Sequence, residues 1–379
     1  MKLLFVIPTY TQGGTNRSLQ FLLSTLKNSN FEIYILCLKD GGIYQTLFAN
    51  YNIIKKSSLV YFFWNSTSFI AKIIRFIDRM IHYNISQIVM SKFIKSIEKE
   101  YQFDKVIAYE EGIATYITSF FNNSKKLAWV HCDYQYYKKK NNYIEKKTYN
   151  KIEYIICVSK YTSLSFIKHF PQFKNKVNFA YNILDTNYIN KLSELAIKET
   201  NIFNEDEFNI LSIGRFDPIK QFSKIPQIVN TIIKNGKSQK FKWYIIGSGK
   251  KDILTNLLSE IEKYNLKDIV ILLGAKENPY PYIKKSNLLV STSYSEACPY
   301  VINEAKVLHI PVLSTNYKSA TELITEDNGI ITTINDMPFI LYNLINNINN
   351  QYTKLNNRTK LYTFNTAQYL NKVINILEK

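Results

Sequence analysis

Short apolar runs alternate with longer helical stretches along the whole chain. In the first half the runs occupy residues 3–7, 33–38, 105–109, 127–131, 154–158 and 177–181. In the second half they occupy residues 210–213, 243–246, 269–273, 288–291, 312–314 and 330–332. Buried strands that alternate with helices form parallel sheets, so this pattern predicts two doubly wound α/β domains.

The domain boundary is predicted from length and composition. A chain of 379 residues exceeds one ordinary hydrophobic core, which also favours two domains. The acidic, Asn-containing stretch 201–207 separates the two sets of runs. We therefore expect an N-terminal domain over residues 1–195 and a C-terminal domain over residues 196–359. Because open α/β sheets bind ligands beyond the carboxyl ends of their strands, two such domains facing each other would form a cleft.

Composition restricts the location and the cofactors. The apolar run at the N-terminus ends at Pro8 and is too short for a signal peptide or a membrane span, which predicts a cytoplasmic protein. The four cysteines are scattered, without a C-x-x-C pair, so neither a disulfide framework nor a zinc site is expected. They are Cys37, Cys132, Cys157 and Cys298. No His, Cys or carboxylate cluster has metal-ligand spacing, so no metal is predicted.

The net charge of +18 requires an anionic partner, a solvated surface, or both. Nucleic acid, anionic lipid and phosphorylated substrates are the three candidates. The chain lacks zinc-finger, RNA-binding and basic-heptad signatures, which disfavours nucleic acid. An anionic membrane surface together with a phosphorylated substrate fits better.

Two basic stretches bear on the membrane alternative. In residues 69–100, apolar residues recur at helical spacing, with basic residues between them at Lys72, Arg75, Arg79, Lys92 and Lys95. This segment either packs its apolar face against the core, the commoner arrangement, or lies on an anionic bilayer. Residues 134–140, followed by Lys146, Lys147 and Lys151, form a second basic stretch, which is either solvated or membrane-bound.

Two carboxylates, Glu296 and Glu304, lie eight positions apart and follow the segment 214–220. Pro299 suits the first turn of a helix, where its missing N–H would have no partner. The unpaired N–H groups of such a helix start would hold a diphosphate beside the loop residues Cys298, Pro299, Tyr300 and Val301. Glu304 would lie about 7 Å further along the helix, where it can accept hydrogen bonds from ribose hydroxyls. The pattern therefore predicts a nucleotide-sugar site.

With these pieces placed, the chain resembles the retaining glycosyltransferases of family 4 over nearly its whole length. The matching segments are 8–18 with its Gly13-Gly14 pair, 128–131 with its terminal His131, 156–159, 181–185, 214–220, 246–249, 295–305 and 311–315. The resemblance implies the GT-B fold, in which two Rossmann-like domains face each other across a cleft. It also implies that residues 360–379 cross back onto the first domain.

The resemblance assigns roles to individual residues. Arg215 and Lys220 would contact the donor diphosphate, where fixed cations stabilise the leaving group. Glu304 would hold the ribose, Glu296 would hold hydroxyls of the transferred sugar, and His131 would approach that sugar. The Gly13-Gly14 loop would bring backbone close to phosphate or acceptor.

The resemblance also implies a chemistry. Retention of configuration is expected by front-face substitution, in which the leaving phosphate oxygen takes the acceptor's proton. The chain contains no D-x-D pair for a divalent ion, so the expected reaction needs no metal or other cofactor. Ala297 stands where the family commonly has glycine, which narrows the pocket and leaves the donor sugar open. UDP is the expected nucleotide, with GDP as the alternative.

The predicted function is sugar transfer from a nucleotide sugar to a growing surface glycan, carried on a lipid at the inner face of the cytoplasmic membrane. One rival is an epimerase or phosphorylase of the same fold. A phosphorylase would need a lysine bound to pyridoxal phosphate. The other rival is a non-catalytic scaffold or nucleic-acid-binding protein with the same shell.

Overall fold

The computed structural model describes residues 1–11, 13–27, 29–80, 84–137, 142–197, 199, 202–236 and 240–378. Two predicted stretches lie partly outside the described residues: the stretch 69–100, through the side chain of Arg79 and residues 81–83, and the second basic stretch, through residues 138–140. The chain forms two compact units. The first comprises Met1–Ile183 with Tyr369–Lys379, and the second comprises Leu184–Gln368.

The first unit is built on a parallel seven-stranded sheet in the order β3-β2-β1-β4-β5-β6-β7. Its strands are β1 (Lys2–Thr9), β2 (Glu32–Lys39), β3 (Asn52–Ile53), β4 (Lys105–Ala108), β5 (Lys125–Val130), β6 (Tyr154–Cys157) and β7 (Val177–Phe179). Its helices include α1 (Gly14–Leu26), α2 (Tyr44–Leu47), α3 (Ser58–Asn65), α4 (Phe69–Met80), α5 (Asn84–Tyr101), α6 (Ile113–Thr118), α7 (Asn142–Asn150) and α8 (Lys160–His169).

The second unit is built on a parallel six-stranded sheet in the order β10-β9-β8-β11-β12-β13. Its strands are β8 (Phe208–Ile213), β9 (Phe241–Ile246), β10 (Val270–Gly274), β11 (Leu288–Ser291), β12 (Val312–Thr315) and β13 (Gly329–Thr332). Its helices are α9 (Thr186–Ser193), α10 (Ile225–Lys234), α11 (Lys251–Lys263), α12 (Tyr280–Lys285), α13 (Tyr300–Val307), α14 (Ala320–Leu323), α15 (Met337–Ile345) and α16 (Gln351–Leu361). The last helix, α17 (Thr366–Glu378), begins in this unit and ends in the first.

The two parallel sheets confirm the predicted fold class, and every predicted apolar run contains a strand. Residues 3–7 of β1 illustrate the reason, because all five side chains are fully buried. Strands covered on both faces read as continuous apolar runs rather than as alternating ones. The prediction missed β3, because it has only two residues and both are exposed.

The division between the units lies earlier than the predicted residue 195. Helix α9 belongs to the second unit because it packs against α12 and α13, and Asn278 Nδ2 donates to Leu192 O at 2.8 Å. The return to the first unit also comes later than the predicted residue 360. Helix α16 remains in the second unit, where Leu355 is buried in the core.

Helix α17 completes the first unit at the C-terminus. Val373, Ile376 and Leu377 are buried, and Lys105 Nζ donates to the carbonyl oxygen of Leu377. Lys372 Nζ lies 3.3 Å from the centre of the Phe179 ring. These contacts tie α17 to β4 and β7. Among the described residues, no helix has both the length and the apolar character needed to cross a membrane.

Candidate functional site

The segment that follows β8 is held by the loop that follows β9. Phe216 N donates to Ser248 O at 2.9 Å, and Lys250 N donates to Phe216 O at 3.1 Å. The Asp217 side chain then caps a short 3₁₀ turn, Pro218–Lys220, by accepting from Ile219 N at 3.1 Å. These bonds fix the backbone that carries Lys220 at the carboxyl end of the sheet.

The loop after β9 needs its glycines because its backbone lies very close to the backbone of the segment after β8. A Cβ on Gly247 would lie 1.8 Å from Gly214 O, and one on Gly249 would lie 2.6 Å from Phe216 N and O. No side chain can be accommodated at such distances without moving the backbone. The segment 246–249 therefore positions the Lys220 segment, a role that the sequence did not reveal.

Lys220 and Glu296 form an ion pair between Nζ and Oε1. Both side chains are largely buried, with exposed fractions of 19% for Lys220 and 15% for Glu296. Ser293 Oγ donates to the same carboxylate oxygen at 2.7 Å, and Ser319 Oγ donates to Glu296 O at 2.6 Å. Two residues predicted to bind different parts of a donor thus contact each other.

The backbones on either side of this ion pair are also joined. Thr292 Oγ1 donates to Lys220 O at 2.6 Å, and Tyr294 N donates to Ile219 O at 3.0 Å. The loop after β11 is therefore attached directly to the turn after β8. Sequence reasoning missed the hydroxyls of Thr292, Ser293 and Ser319. The run Ser-Thr-Ser-Tyr-Ser at 291–295 was the available signal for the first two.

Arg215 differs from Lys220 in its surroundings. Its side chain is exposed and makes no hydrogen bond or ion pair with any residue that the structure describes. Gly214, directly before it, has the Lys220 Cε atom 3.0 Å from the position of a Cβ. The Lys220 stem thus packs against the end of β8, whereas the Arg215 guanidinium is available to an anionic ligand.

Helix α13 begins one residue later than predicted. Pro299 is the N-cap, with extended angles of φ −67° and ψ 122°, so Tyr300 is the first helical residue. Cys298 and Pro299 are buried before the helix, while Tyr300 and Val301 are half-buried. The helix start therefore lies one residue after the predicted position, and its first N–H groups are contributed by residues from Tyr300 onward.

Glu304 lies inside α13 and is buried, with an exposed fraction of 6%. The hydroxyl of Tyr280, which is fully buried in α12, donates to Glu304 Oε1 at 3.2 Å. Tyr280 orients the carboxylate and was not predicted from the sequence, because 24 positions separate the two residues.

Lys306, on the same helix, is also buried. Its Nζ donates to Leu323 O at 2.6 Å and lies 4.7 Å from the centre of the Tyr362 ring. Burial lowers the pKa of Lys306 to about 8. These contacts anchor α13 to the end of α14 and to the segment after α16.

The remaining predicted site residues belong to the first unit. His131 follows β5, and its backbone N–H donates to Glu111 Oε2 at 2.9 Å. Its ring centre lies 5.0 Å from that of Tyr109, and its buried Nε2 has no hydrogen-bond partner among the described residues. Burial lowers the pKa of His131 to about 3, so the imidazole is neutral at neutral pH.

The Gly13-Gly14 loop has free space around it. Gly13 is the N-cap of α1 with φ 175°, an extended conformation, and a Cβ on either glycine would have no described atom within 4 Å. The loop is held instead by Asn16, whose Nδ2 donates to Thr9 O at 2.9 Å and Thr11 O at 2.8 Å. Neither glycine is needed for local packing.

The first unit also contains a hydrogen-bond network that joins Ser18, Tyr109 and Asn182. Ser18 Oγ lies 2.8 Å from the Tyr109 hydroxyl and donates to Asn182 Oδ1 at 3.0 Å. Through Tyr109, this network reaches the ring of His131. Within the described ranges, no group of three or more His, Cys, Asp or Glu side chains is placed to hold a metal ion.

A known protein family is similar to most of the second unit. The family model described as glycosyl transferases group 1 matches residues 193–363, which contain Arg215, Lys220 and both glutamates. The matched residues, fewer than half of the chain, are similar to the group 1 glycosyltransferases.

Curated relatives match this chain over part of their length. An uncharacterised glycosyltransferase of Methanocaldococcus jannaschii is 29% identical over 260 residues, covering 60% of this chain and 59% of the relative. A Campylobacter jejuni N-acetylgalactosaminyltransferase acting on a diphospho-undecaprenol substrate is 28% identical, covering 52% of this chain and 51% of the relative. The chain thus spans about half the length of the curated relatives it matches.

Solved structures share the GT-B fold. HepE of Anabaena, in complex with UDP and glucose, superposes with a TM-score of 0.78 at 17% identity, covering 100% of this chain and 99% of HepE. Staphylococcus aureus TarM superposes with a TM-score of 0.71 at 15% identity, covering all of both chains. At such low identity these likenesses establish the fold of this chain, which confirms the predicted GT-B class.

Proposed function

We propose that this protein transfers a sugar from a nucleotide-sugar donor to a hydroxyl of a growing surface glycan. Retention at the anomeric carbon and independence of metal are parts of the proposal. The observation that carries it is the Lys220–Glu296 ion pair at the carboxyl end of β8, in the family-matched segment that also contains the start of α13 and buried Glu304.

The donor diphosphate binds Arg215, Lys220 and the first N–H groups of α13. Helix starts attract anions, and an exposed guanidinium forms paired hydrogen bonds to phosphate. Lys220 exchanges its bond to Glu296 for a bond to the diphosphate. This exchange frees the Glu296 carboxylate to accept hydroxyls of the transferred sugar, while Ser293 keeps it in place.

The nucleoside is held further along α13. Glu304, oriented by Tyr280, accepts hydrogen bonds from the ribose hydroxyls. UDP is the proposed nucleotide. HepE, a protein of the same fold, supports this choice because it was solved in complex with UDP.

In the proposed reaction, the oxygen of the acceptor hydroxyl forms a bond to the anomeric carbon as the bond from that carbon to the diphosphate oxygen breaks. The bonding electron pair goes to the diphosphate, and the hydroxyl proton passes to the same leaving oxygen. Arg215 and Lys220 stabilise the charge that develops there. His131, a neutral imidazole, hydrogen bonds to the transferred sugar, and the Gly13-Gly14 loop lies against phosphate or acceptor.

The proposed acceptor is a lipid-linked oligosaccharide, and the proposed location is the inner face of the cytoplasmic membrane. Two relatives support this choice. The Campylobacter enzyme is named for a diphospho-undecaprenol substrate, and a relative from Erwinia amylovora is named for amylovoran biosynthesis. The net charge of +18 favours an anionic membrane.

Calorimetric titration with UDP, GDP and their common sugar conjugates tests the donor site. We expect one nucleotide to bind, and Lys220→Ala and Glu304→Ala each to weaken that binding about tenfold or more, since each removes a charged hydrogen-bond partner. Lys267→Ala is the matched control, because the Lys267 side chain is 70% exposed and pairs only with Glu262 among described residues.

Unchanged affinity in both site variants would contradict the assignment. Failure of every nucleotide to bind, together with tight binding of RNA at physiological salt, would favour a nucleic-acid-binding protein instead.

A further inference from the structure

Helix α4 exposes a continuous apolar face. Six of its side chains are large, apolar and exposed. They are Phe69 (76% exposed), Ile70 (65%), Ile73 (42%), Phe76 (60%), Ile77 (45%) and Met80 (66%). At about 100° per residue these positions share one side of the helix, which is the width of a face that normally packs into a core.

The buried side of α4 is the opposite one. Among the described side chains of α4, Ala71 and Asp78 are buried, with exposed fractions of 1% and 2%, and they lie about 140–160° around the helix from the centre of the apolar face. The next helix, α5, has the usual arrangement, with Met90 and Ile94 fully buried. The orientation of α4 is therefore inverted relative to that of a core helix.

Helix α3 extends the exposed surface. Leu59 is 57% exposed, Tyr61 is 52% exposed and Phe62 is 36% exposed. The two helices are in contact, and Arg75 in α4 donates to Phe63 O in α3 at 2.8 Å. We call these nine exposed apolar side chains the α3–α4 patch. Protein surfaces usually expose large apolar residues singly, whereas the α3–α4 patch groups nine of them.

The charges around the α3–α4 patch are basic. Helix α3 contains no acidic residue, and the only carboxylate of α4 is the buried Asp78. Lys72 is exposed and lies about 40° around the helix from Phe76, at the edge of the apolar face. Exposed lysines also follow on α5, at Lys92 and Lys95.

We propose that the α3–α4 patch inserts into the interfacial layer of an anionic lipid bilayer. Helix α4 has 12 residues, so it is about 18 Å long, which is too short to span a bilayer but suits a helix lying in its plane. Aromatic and aliphatic side chains on one face, with lysine at its edge, are typical of such interfacial helices.

The α3–α4 patch would serve to hold the enzyme beside a lipid-linked acceptor, and only this purpose rests on the proposed function. It replaces the commoner expectation that residues 69–80 pack into the core. The core-facing arrangement holds for α5 alone of these two helices.

Cosedimentation of the full chain with vesicles tests the proposal. Vesicles of phosphatidylcholine containing phosphatidylglycerol should bind the protein at low salt, and pure phosphatidylcholine should bind it more weakly. The double variant Phe69→Asp/Phe76→Asp should lower the partition coefficient about 100-fold or more, and Lys72→Ala about fivefold. All three side chains are exposed, so the variants should keep the wild-type melting temperature.

Phe339→Asp is the matched control, because Phe339 is 61% exposed but lies in the second unit. It should bind vesicles like the wild type. Equal vesicle binding by the wild type and the α4 double variant would overturn the proposal. The proposal would also be overturned if the protein bound no vesicles and formed a dimer in sedimentation velocity that the double variant abolishes. A second copy would then cover the patch.

UDP titration of the same variants separates the two proposals. Lost vesicle binding with retained UDP affinity in the double variant would support the α3–α4 patch as a membrane surface. If the wild type bound vesicles but no nucleotide, the proposed function would fail while the membrane surface would stand.

Discussion

At the residue scale, the sequence identified the ionisable groups of the candidate site but not their partners. Lys220 and Glu296 were predicted to bind different parts of a donor, yet they form an ion pair across 76 positions of the chain. Tyr280 and Ser293 orient the two glutamates through single hydroxyls. Hydroxyls of this kind carry no sequence pattern, so only the tertiary structure reveals them.

His131 makes the stability of the protein depend on pH. Its pKa is lowered to about 3 by burial, below the ordinary value of about 6.5, so the unfolded chain binds its proton first as pH falls. This histidine's contribution is therefore fully present above about pH 6.5 and is lost as pH falls towards 3. At pH 5 the loss in the free energy of unfolding should be about 2 kcal/mol.

Urea unfolding at pH 7 and pH 5 measures this loss. His131→Gln should remove that part of the pH dependence, and His309→Asn is the matched control because it leaves His131 in place. Asparagine suits position 309, where the backbone is left-handed with φ 58°. An identical pH dependence in the wild type and His131→Gln would show that the imidazole is accessible to protons in the folded state.

At the element scale, the two glycine-containing loops have opposite requirements. Both follow parallel strands, and both belong to segments that match the family resemblance. The structure shows that Gly247 has no room for a Cβ, whereas Gly13 and Gly14 have no neighbour within 4 Å of one. The sequence could not separate these cases, because close approach depends on the neighbouring strand's loop.

Replacing a glycine with alanine should therefore have different effects in the two loops. Gly247→Ala should destabilise the second unit by about 1–3 kcal/mol, because the methyl group overlaps Gly214 O. Gly14→Ala should melt like the wild type, since its backbone position is open, yet it should reduce sugar transfer if substrate fills that space. Thermal unfolding and a transfer assay on both variants distinguish the effects; equal destabilisation would contradict the open space at Gly14.

At the scale of the whole molecule, the chain leaves the first unit at residue 183 and returns to it at residue 369. The family resemblance implied such a return, and contacts of α17 with β4 and β7 supply its physical basis. The acidic stretch 201–207 misplaced the first boundary, because its described residues 202–207 form a loop inside the second unit rather than a linker. Composition alone does not show which unit a helix such as α9 packs against.

Truncation of a buried side chain in α17 should weaken the first unit specifically. Leu377 is fully buried, so Leu377→Ala should cost about 2–5 kcal/mol, whereas Leu361→Ala should change stability by less than about 0.5 kcal/mol because Leu361 is 84% exposed. Hydrogen exchange should quicken in β1 and β4 for Leu377→Ala. Quickened exchange confined to the second unit would contradict the assignment of α17.

The sequence by itself determined the two parallel sheets and the order of the chemical motifs along them. Apolar runs long enough to form strands must be buried, and polar residues that follow them must lie at the carboxyl edge of a parallel sheet. Only the tertiary structure decided which side chain pairs with which, and that the apolar face of α4 points outward while that of α5 points inward. Hydrophobic periodicity fixes which face of a helix is apolar, but the elements packed around the helix decide what covers that face.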